Sequence, residues 1–229
     1  MKKEVRILVG LLALVGVGLG LAAYMYGKSA SSEATSGLKP GQTGGVAGVM
    51  TFRDELIRPD SHALGPENAA LTVVEFLDPE CESCKAFHPT IKRWLEENQG
   101  KVRFVVRYMP FHSSSRMAVA ALESAALQGK YWEMLDLLFA MADEWGHQPE
   151  PRADLFEKYA GSLGLDVAKF TTDLADPRWA TLAERDMADG QAMGVRGTPT
   201  VFFNGEVLRD LSLEGLRAQG TAMLGASAP

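Results

Sequence analysis

The chain has 229 residues, 46% hydrophobic and 23% charged, with a formal net charge of −6. That is enough apolar material for one sizeable domain with its own core. The acidic balance, with no basic cluster longer than Lys2-Lys3, excludes nonspecific nucleic-acid binding, which needs a cationic surface to displace counterions.

Lys2, Lys3 and Arg6 precede an uncharged apolar run over residues 7–27, long enough to cross a bilayer as a helix. The basic residues put the N-terminal end in the cytoplasm and the rest outside. A cleaved signal peptide is the rival reading, with Ser29-Ala30 or Ala34 at the peptidase site, although such apolar regions usually span only about 7 to 15 residues. Both readings place the domain on the periplasmic or extracytoplasmic face, where disulfides persist, anchored in the inner membrane unless the leader is removed. Residues 1–27 are thus the predicted anchor. Residues 28–51, rich in Gly, Ser and Thr, form a predicted flexible linker, and the folded domain is expected over 52–226.

LTVVEFL, residues 71–77, is a short β-branched run of the kind that forms a buried central strand. DPECESC follows and holds both cysteines. Beyond it Cys84, Phe87, His88, Ile91, Trp94 and Leu95 recur at helical spacing. Cys81 therefore falls at or just before the first turn, and Cys84 one turn inside. The unpaired N–H groups and dipole of a helix start favour a negative sulfur, and Cys-X-X-Cys there lowers a thiol pKa. Three readings stay open on these residues: a redox couple, a structural clip, and half of a zinc or copper site. A clip closing so short a loop stabilises little. A metal site needs two more ligands, and His88 and His112 are the candidates, since no other cysteine exists.

VRFVVRYMP, residues 102–110, reads as a second strand, parallel to the first if the helix is a crossover. Helical stretches follow: the alanine-rich 117–127, a stripe of Trp132, Leu135, Leu138 and Phe139, and another of Leu155, Phe156, Tyr159 and Leu163. Asp166 is a predicted N-cap, and Gly194 a predicted C′ residue after a helix from about Trp179. TVFF then reads as a strand, Asn204-Gly205 as a hairpin turn, EVL as its partner, and Leu213, Leu216 and Met223 as one face of a closing helix. Thr198 before Pro199 is restricted to an extended conformation, and that bond can be cis.

Together these pieces resemble the DsbA-like thiol:disulfide oxidoreductases of the thioredoxin superfamily. The resemblance runs from about Arg58 to the last helix, on RPDSHALGPENAALTVVEF, the C-x-x-C at a helix start, the helical stretches and GVRGTPTVFFNG. It implies an α/β, thioredoxin-like fold with a helical domain inserted over about 113–193, here preceded by the N-terminal transmembrane helix. It implies Cys81 as nucleophile, Cys84 as resolving thiol and Pro199 as the cis-proline against the disulfide. It further implies that Thr198 offers backbone groups to a bound peptide, and that Glu75 is a buried acid assisting proton movement at the second thiol. Glu82 and Ser83, between the cysteines, are expected to meet the substrate, and His112 lies where relatives often carry a histidine.

No cofactor and no metal are implied. The expected substrates are thiols and disulfides of exported proteins. The expected partner is a membrane redox protein, either a DsbB-like oxidase or an electron-donating transporter. Strongly oxidising members place a proline and a histidine between the cysteines, where this chain has Glu82 and Ser83. Asp78, Glu80 and Glu82 are expected to raise the Cys81 pKa against the helix N-terminus, giving an oxidase of moderate power. A reductase or isomerase kept as the dithiol, and a copper- or zinc-binding module, are the alternatives. Isomerases usually carry a separate dimerisation domain, for which the stretch before Phe52 is too short and too polar.

Overall fold

The computed structural model describes residues 56–226. The predicted anchor at 1–27, the linker at 28–51 and the first residues of the predicted domain lie outside them. Among the described residues no helix is long and apolar enough to cross a membrane.

Five strands form one sheet: β1 (Ala63–Leu64), β2 (Leu71–Leu77), β3 (Val102–Tyr108), β4 (Thr200–Phe203) and β5 (Glu206–Val207), in the order β1-β3-β2-β4-β5. β2 is central and buried along its whole length. It pairs parallel with β3, through the crossover helix α1 (Glu82–Glu97), and antiparallel with β4. The β4–β5 hairpin turns at Asn204 and Gly205, both with positive φ, the backbone that an Asn-Gly pair supplies. β1, a two-residue edge strand antiparallel to β3, is too short to show alternation and carried no signal in the sequence.

Between β3 and β4 run α2 (Ser115–Ala126), α3 (Tyr131–Ala140), α4 (Ala142–Trp145), α5 (Ala153–Ser162), α6 (Val167–Leu174) and α7 (Arg178–Ala192). α2 is the hub. It packs on α3, α5, α6 and α7, and its alanines let those neighbours approach closely. The predicted cap is in place, since Asp166 accepts from the Lys169 N–H. α7 returns to the sheet, where Gly190 lies so close to Phe76 and Met109 that a Cβ would meet the Met109 sulfur at 2.5 Å. The opposite face is covered by α1, through Phe87, Ile91 and Trp94, and by the closing helix α8 (Leu213–Ala226), through Leu216.

A strand that reads as apolar thus carries a charge into the core. Arg107 on β3 is 0% exposed. It donates to Asp186 of α7 at 2.9 Å, to Asp189 and to the Leu56 carbonyl, while Arg58 bonds Asp189 and Arg185 bridges Asp186 and Asp60. Three arginines and three aspartates ground residues 56–60 and α7 on the sheet. Replacing Arg107 with Met should cost about 3 kcal/mol, the low end for breaking a buried ion pair, because Asp186 keeps Arg185. Denaturant unfolding of the full chain checks this, and an unchanged midpoint would show that the network holds nothing.

Candidate active site

The site forms where β2 ends. The chain turns at Asp78 and enters α1 with Cys81 as its N-cap, in extended backbone conformation. Cys84, one turn in, is fully buried, while Cys81 reaches the rim at 9% exposure. Both are free thiols. Across from them the cis Thr198–Pro199 bond precedes β4, and the Cys81 thiol donates to the Thr198 carbonyl at 3.5 Å. Residues more than a hundred positions apart in sequence therefore meet at one sulfur.

The two thiols are unlike. Cys81 is held well below the ordinary thiol range, at about 5. The hydrogen bond from the Cys84 thiol is the largest cause, partly opposed by burial; the Thr198 side chain and the backbone N–H groups of Cys84 and Ser83 add to it. Thr198 thus serves both forms, its carbonyl accepting from the thiol and its side chain supporting the thiolate. Cys84 is pushed far up, first by burial, then by its bond to Cys81 and the nearby Glu75 charge.

Here the expectation for the three acids is corrected. None of Asp78, Glu80 and Glu82 is among the main influences on the Cys81 thiol, which lies low rather than high. Asp78 and Glu80 are buried and turned into hydrogen bonds. Asp78 accepts from the N–H groups of Glu80 and Phe111, from the Ser115 hydroxyl and from His112 Nδ1 at 2.7 Å. Glu80 accepts from the Ser114 N–H at 2.7 Å, from the Ser115 hydroxyl and from the His147 N–H at 2.6 Å. Both carboxylates therefore sit at the start of α2, where the helix dipole welcomes negative charge. They tie the cysteine loop to the helical region. Glu82 is exposed, and its carboxylate lies 3.0 Å from His147 Nε2.

Glu75 sits on β2 opposite Val106 and Val201, 2% exposed. Burial, and then the Cys81 charge, push its carboxyl up to about 8. Ser83 lies in the first turn between the cysteines and contributes its backbone N–H. His88 does not join the cysteines. It faces Asp136 of α3 at 2.7 Å and tilts against Phe139. His112 is held by Asp78, and among the described residues no group of three or more His, Cys, Asp or Glu is placed to hold a metal. The sequence reading missed His147, Ser114 and Ser115, which come from loops and a helix start with no motif of their own.

Residues 58–219 match the family model described as Thioredoxin. The chain belongs to the thioredoxin family. Within that family its fold is similar to BdbD from Bacillus subtilis in the oxidised form, with a TM-score of 0.65 and 26% identity over 71% of this chain and 92% of that one. It is also similar to a thioredoxin-like oxidoreductase from Silicibacter pomeroyi, with a TM-score of 0.64 and 24% identity over 77% of this chain and 99% of that one. The alpha-DsbA1 fold of Wolbachia pipientis superposes at a TM-score of 0.68, with 17% identity over 77% of this chain and 96% of that one. This thioredoxin-family chain thus has a DsbA-like fold, with its helices α2 to α7 inserted between β3 and β4. Curated relatives include the Na(+)/H(+) antiporter NhaA 3 of Salinispora tropica, 36% identical over 193 residues, which are 82% of this chain and 28% of the antiporter. A second, the Na(+)/H(+) antiporter NhaA of Herminiimonas arsenicoxydans, is 40% identical over 151 residues, 65% of this chain and 23% of that protein. The chain spans about a quarter of the length of the curated relatives it matches.

The raised Glu75 carboxyl sets a pH dependence. The unfolded chain releases this proton near the ordinary carboxyl value of 4.5, the folded chain only at about 8, so stability falls as pH rises across that window. A Glu75→Gln variant should gain on the wild type from pH 4.5 upward, by on the order of 3 kcal/mol at pH 7, and level off above pH 8. Paired denaturant titrations at pH 4.5, 7 and 8.5 measure this. A gain that does not vary with pH would rule out the titration as its cause.

Proposed function

We propose that the chain is a protein thiol:disulfide oxidoreductase acting outside the cytoplasm, with Cys81 and Cys84 as its redox couple and net oxidation of substrate thiols as its direction. The asymmetry between the two thiols carries this reading. A stabilised Cys81 thiolate stabilises the dithiol form, and a protein whose dithiol form is favoured is an oxidant. A value of about 5 lies between those of thioredoxin, about 7, and DsbA, about 3.5, which fits moderate oxidising power.

In the disulfide form a substrate thiolate attacks the accessible Cys81 sulfur. The Cys81–Cys84 bond breaks, a substrate–Cys81 disulfide forms, and Cys84 leaves and takes a proton. Glu75, largely protonated at neutral pH, is the buried acid suited to supply it. A second substrate thiolate then attacks the substrate sulfur and expels Cys81, a good leaving group because its thiolate is stabilised. Two substrate thiols become one disulfide, and the couple holds the two electrons. Thr198 and Pro199, beside Cys81, would line the approach for the substrate peptide, and Glu82 and Ser83, between the cysteines, would meet it. A membrane redox partner, a DsbB-like oxidase, would remove the electrons.

The apolar run at 7–27 supports an anchored position on the extracytoplasmic face. Related sequence within chains named as antiporters also favours a place at a membrane. The substrates are then exported proteins with unpaired thiols.

In a Cys84→Ala chain the first disulfide cannot be resolved from within. A peptide whose cysteine is carried as a mixed disulfide with a small thiol should be attacked by the Cys81 thiolate, release that small thiol and remain bound to Cys81, visible as a mass increase that dithiothreitol removes, whereas Cys81→Ser should form no adduct. The Cys81–Cys84 potential in glutathione buffers should lie above that of thioredoxin, about −270 mV. A value at or below it would reassign the couple as a reductase.

A further inference from the structure

The Cys-Glu-Ser-Cys stretch contains no cation, yet the fold brings two histidines to it from elsewhere. His112 follows β3, and its Nδ1 lies 2.7 Å from the Asp78 carboxylate. His147 follows α4 and packs edge-on to His112 with ring centroids 5.3 Å apart. Its Nε2 is 3.0 Å from Glu82 and its Nδ1 3.8 Å from Glu80. The position of His147 is built rather than incidental: it takes φ +53°, a left-handed backbone that non-glycine residues seldom adopt, and its N–H donates to Glu80 at 2.6 Å. The charged groups around the pair are Asp78, Glu80, Cys81 and Glu82 from the loop and first turn of α1. Lys85 and Asp143 on the flank satisfy each other at 2.6 Å.

We propose that His112 and His147 set the charge at the redox centre, His112 as the imidazolium that stabilises the Cys81 thiolate and His147 as the clamp that holds the Glu82 carboxylate off it. Both are positioning residues, and the inference rests on the reading of Cys81 as the exchanging thiol. Burial draws the His112 imidazole down, but its bond to Asp78 and the charges of Asp78, Glu80 and Cys81 outweigh this and raise it. Proton binding at two sites is reciprocal, so a thiolate that favours the imidazolium is favoured by it in return. Glu82, the residue that should oppose the thiolate, is favoured as a carboxylate first by its own backbone N–H and then by the charges of His147 and His112. The cation is present below the raised imidazole pKa, and its support for the thiolate is lost as pH rises through it.

The test is an NMR titration of the His112 ring in the full chain, with Cys81 and Cys84 first as dithiol and then as disulfide. The disulfide has no thiolate, so the His112 proton affinity should be about tenfold higher in the reduced form. Equal titrations in the two forms would overturn the proposal, and this measurement needs no variant to fold. His112→Asn should lower the acidity of Cys81 about tenfold and the potential of the couple by about 30 mV. His147→Gln should raise the Cys81 pKa in the wild type but not in a Glu82→Gln background, where no carboxylate remains to be held. The same shift in both backgrounds would overturn the clamp. A chain that never exchanges with a substrate thiol overturns the functional reading instead, while one that exchanges with no His112 shift overturns this inference alone.

Discussion

A carboxylate removed from water beside a reactive thiol must find hydrogen bonds, and Asp78 and Glu80 find theirs at the start of α2. Much else in the molecule follows from that demand. The two acids are taken up in hydrogen bonds, hold the turn that sets Cys81 at the head of α1, and couple that turn to the helical insertion. They also position both histidines, His112 through Asp78 and His147 through Glu80. Acids that look hostile to a thiolate when read along the chain become its scaffold once their partners are known.

The chemistry rests on a difference between neighbouring sulfurs. Cys81 has a helix N-terminus, the Cys84 thiol and Thr198 to support its charge, while Cys84 has an apolar enclosure and the nearby Glu75. In the proposed exchange Cys81, the more exposed sulfur, would be the target and the good leaving group, and Cys84 the protonated reserve. The sheet makes this possible by delivering Cys81 and Thr198 from the ends of adjacent strands, β2 and β4, paired antiparallel. A buried ion network on the opposite face anchors α7 and keeps that sheet in place.

Local physics was legible in the sequence. The β-branched runs at 71–77 and 102–108, the Asn204-Gly205 turn, the Asp166 cap and the placing of Cys81 at a helix start each depend on neighbours a few residues away. The tertiary partners were not. Arg107 sits in an apolar-looking strand and is answered from α7, 79 and 82 positions later. Asp78 and Glu80 are satisfied 33 to 67 positions downstream. Charge counted along the loop therefore gave the wrong sign for the Cys81 thiol, because an acid's influence depends on where its oxygens point and what donates to them. His88 shows the same limit from the other side. Its spacing from the cysteines suited a metal ligand, but its helix face turns it to Asp136.

Disulfide exchange through this site requires Cys81 to be a stabilised thiolate despite its acidic sequence surroundings. The direct measurement is the ultraviolet thiolate absorbance of the reduced full chain followed across pH, with Cys81→Ser as the reference. The difference between the two should contain one thiolate appearing near pH 5 and persisting to neutral pH. A difference that stays flat until the pH approaches 9, the ordinary thiol value, would mean that the acids do prevail and that Cys81 is not a stabilised thiolate.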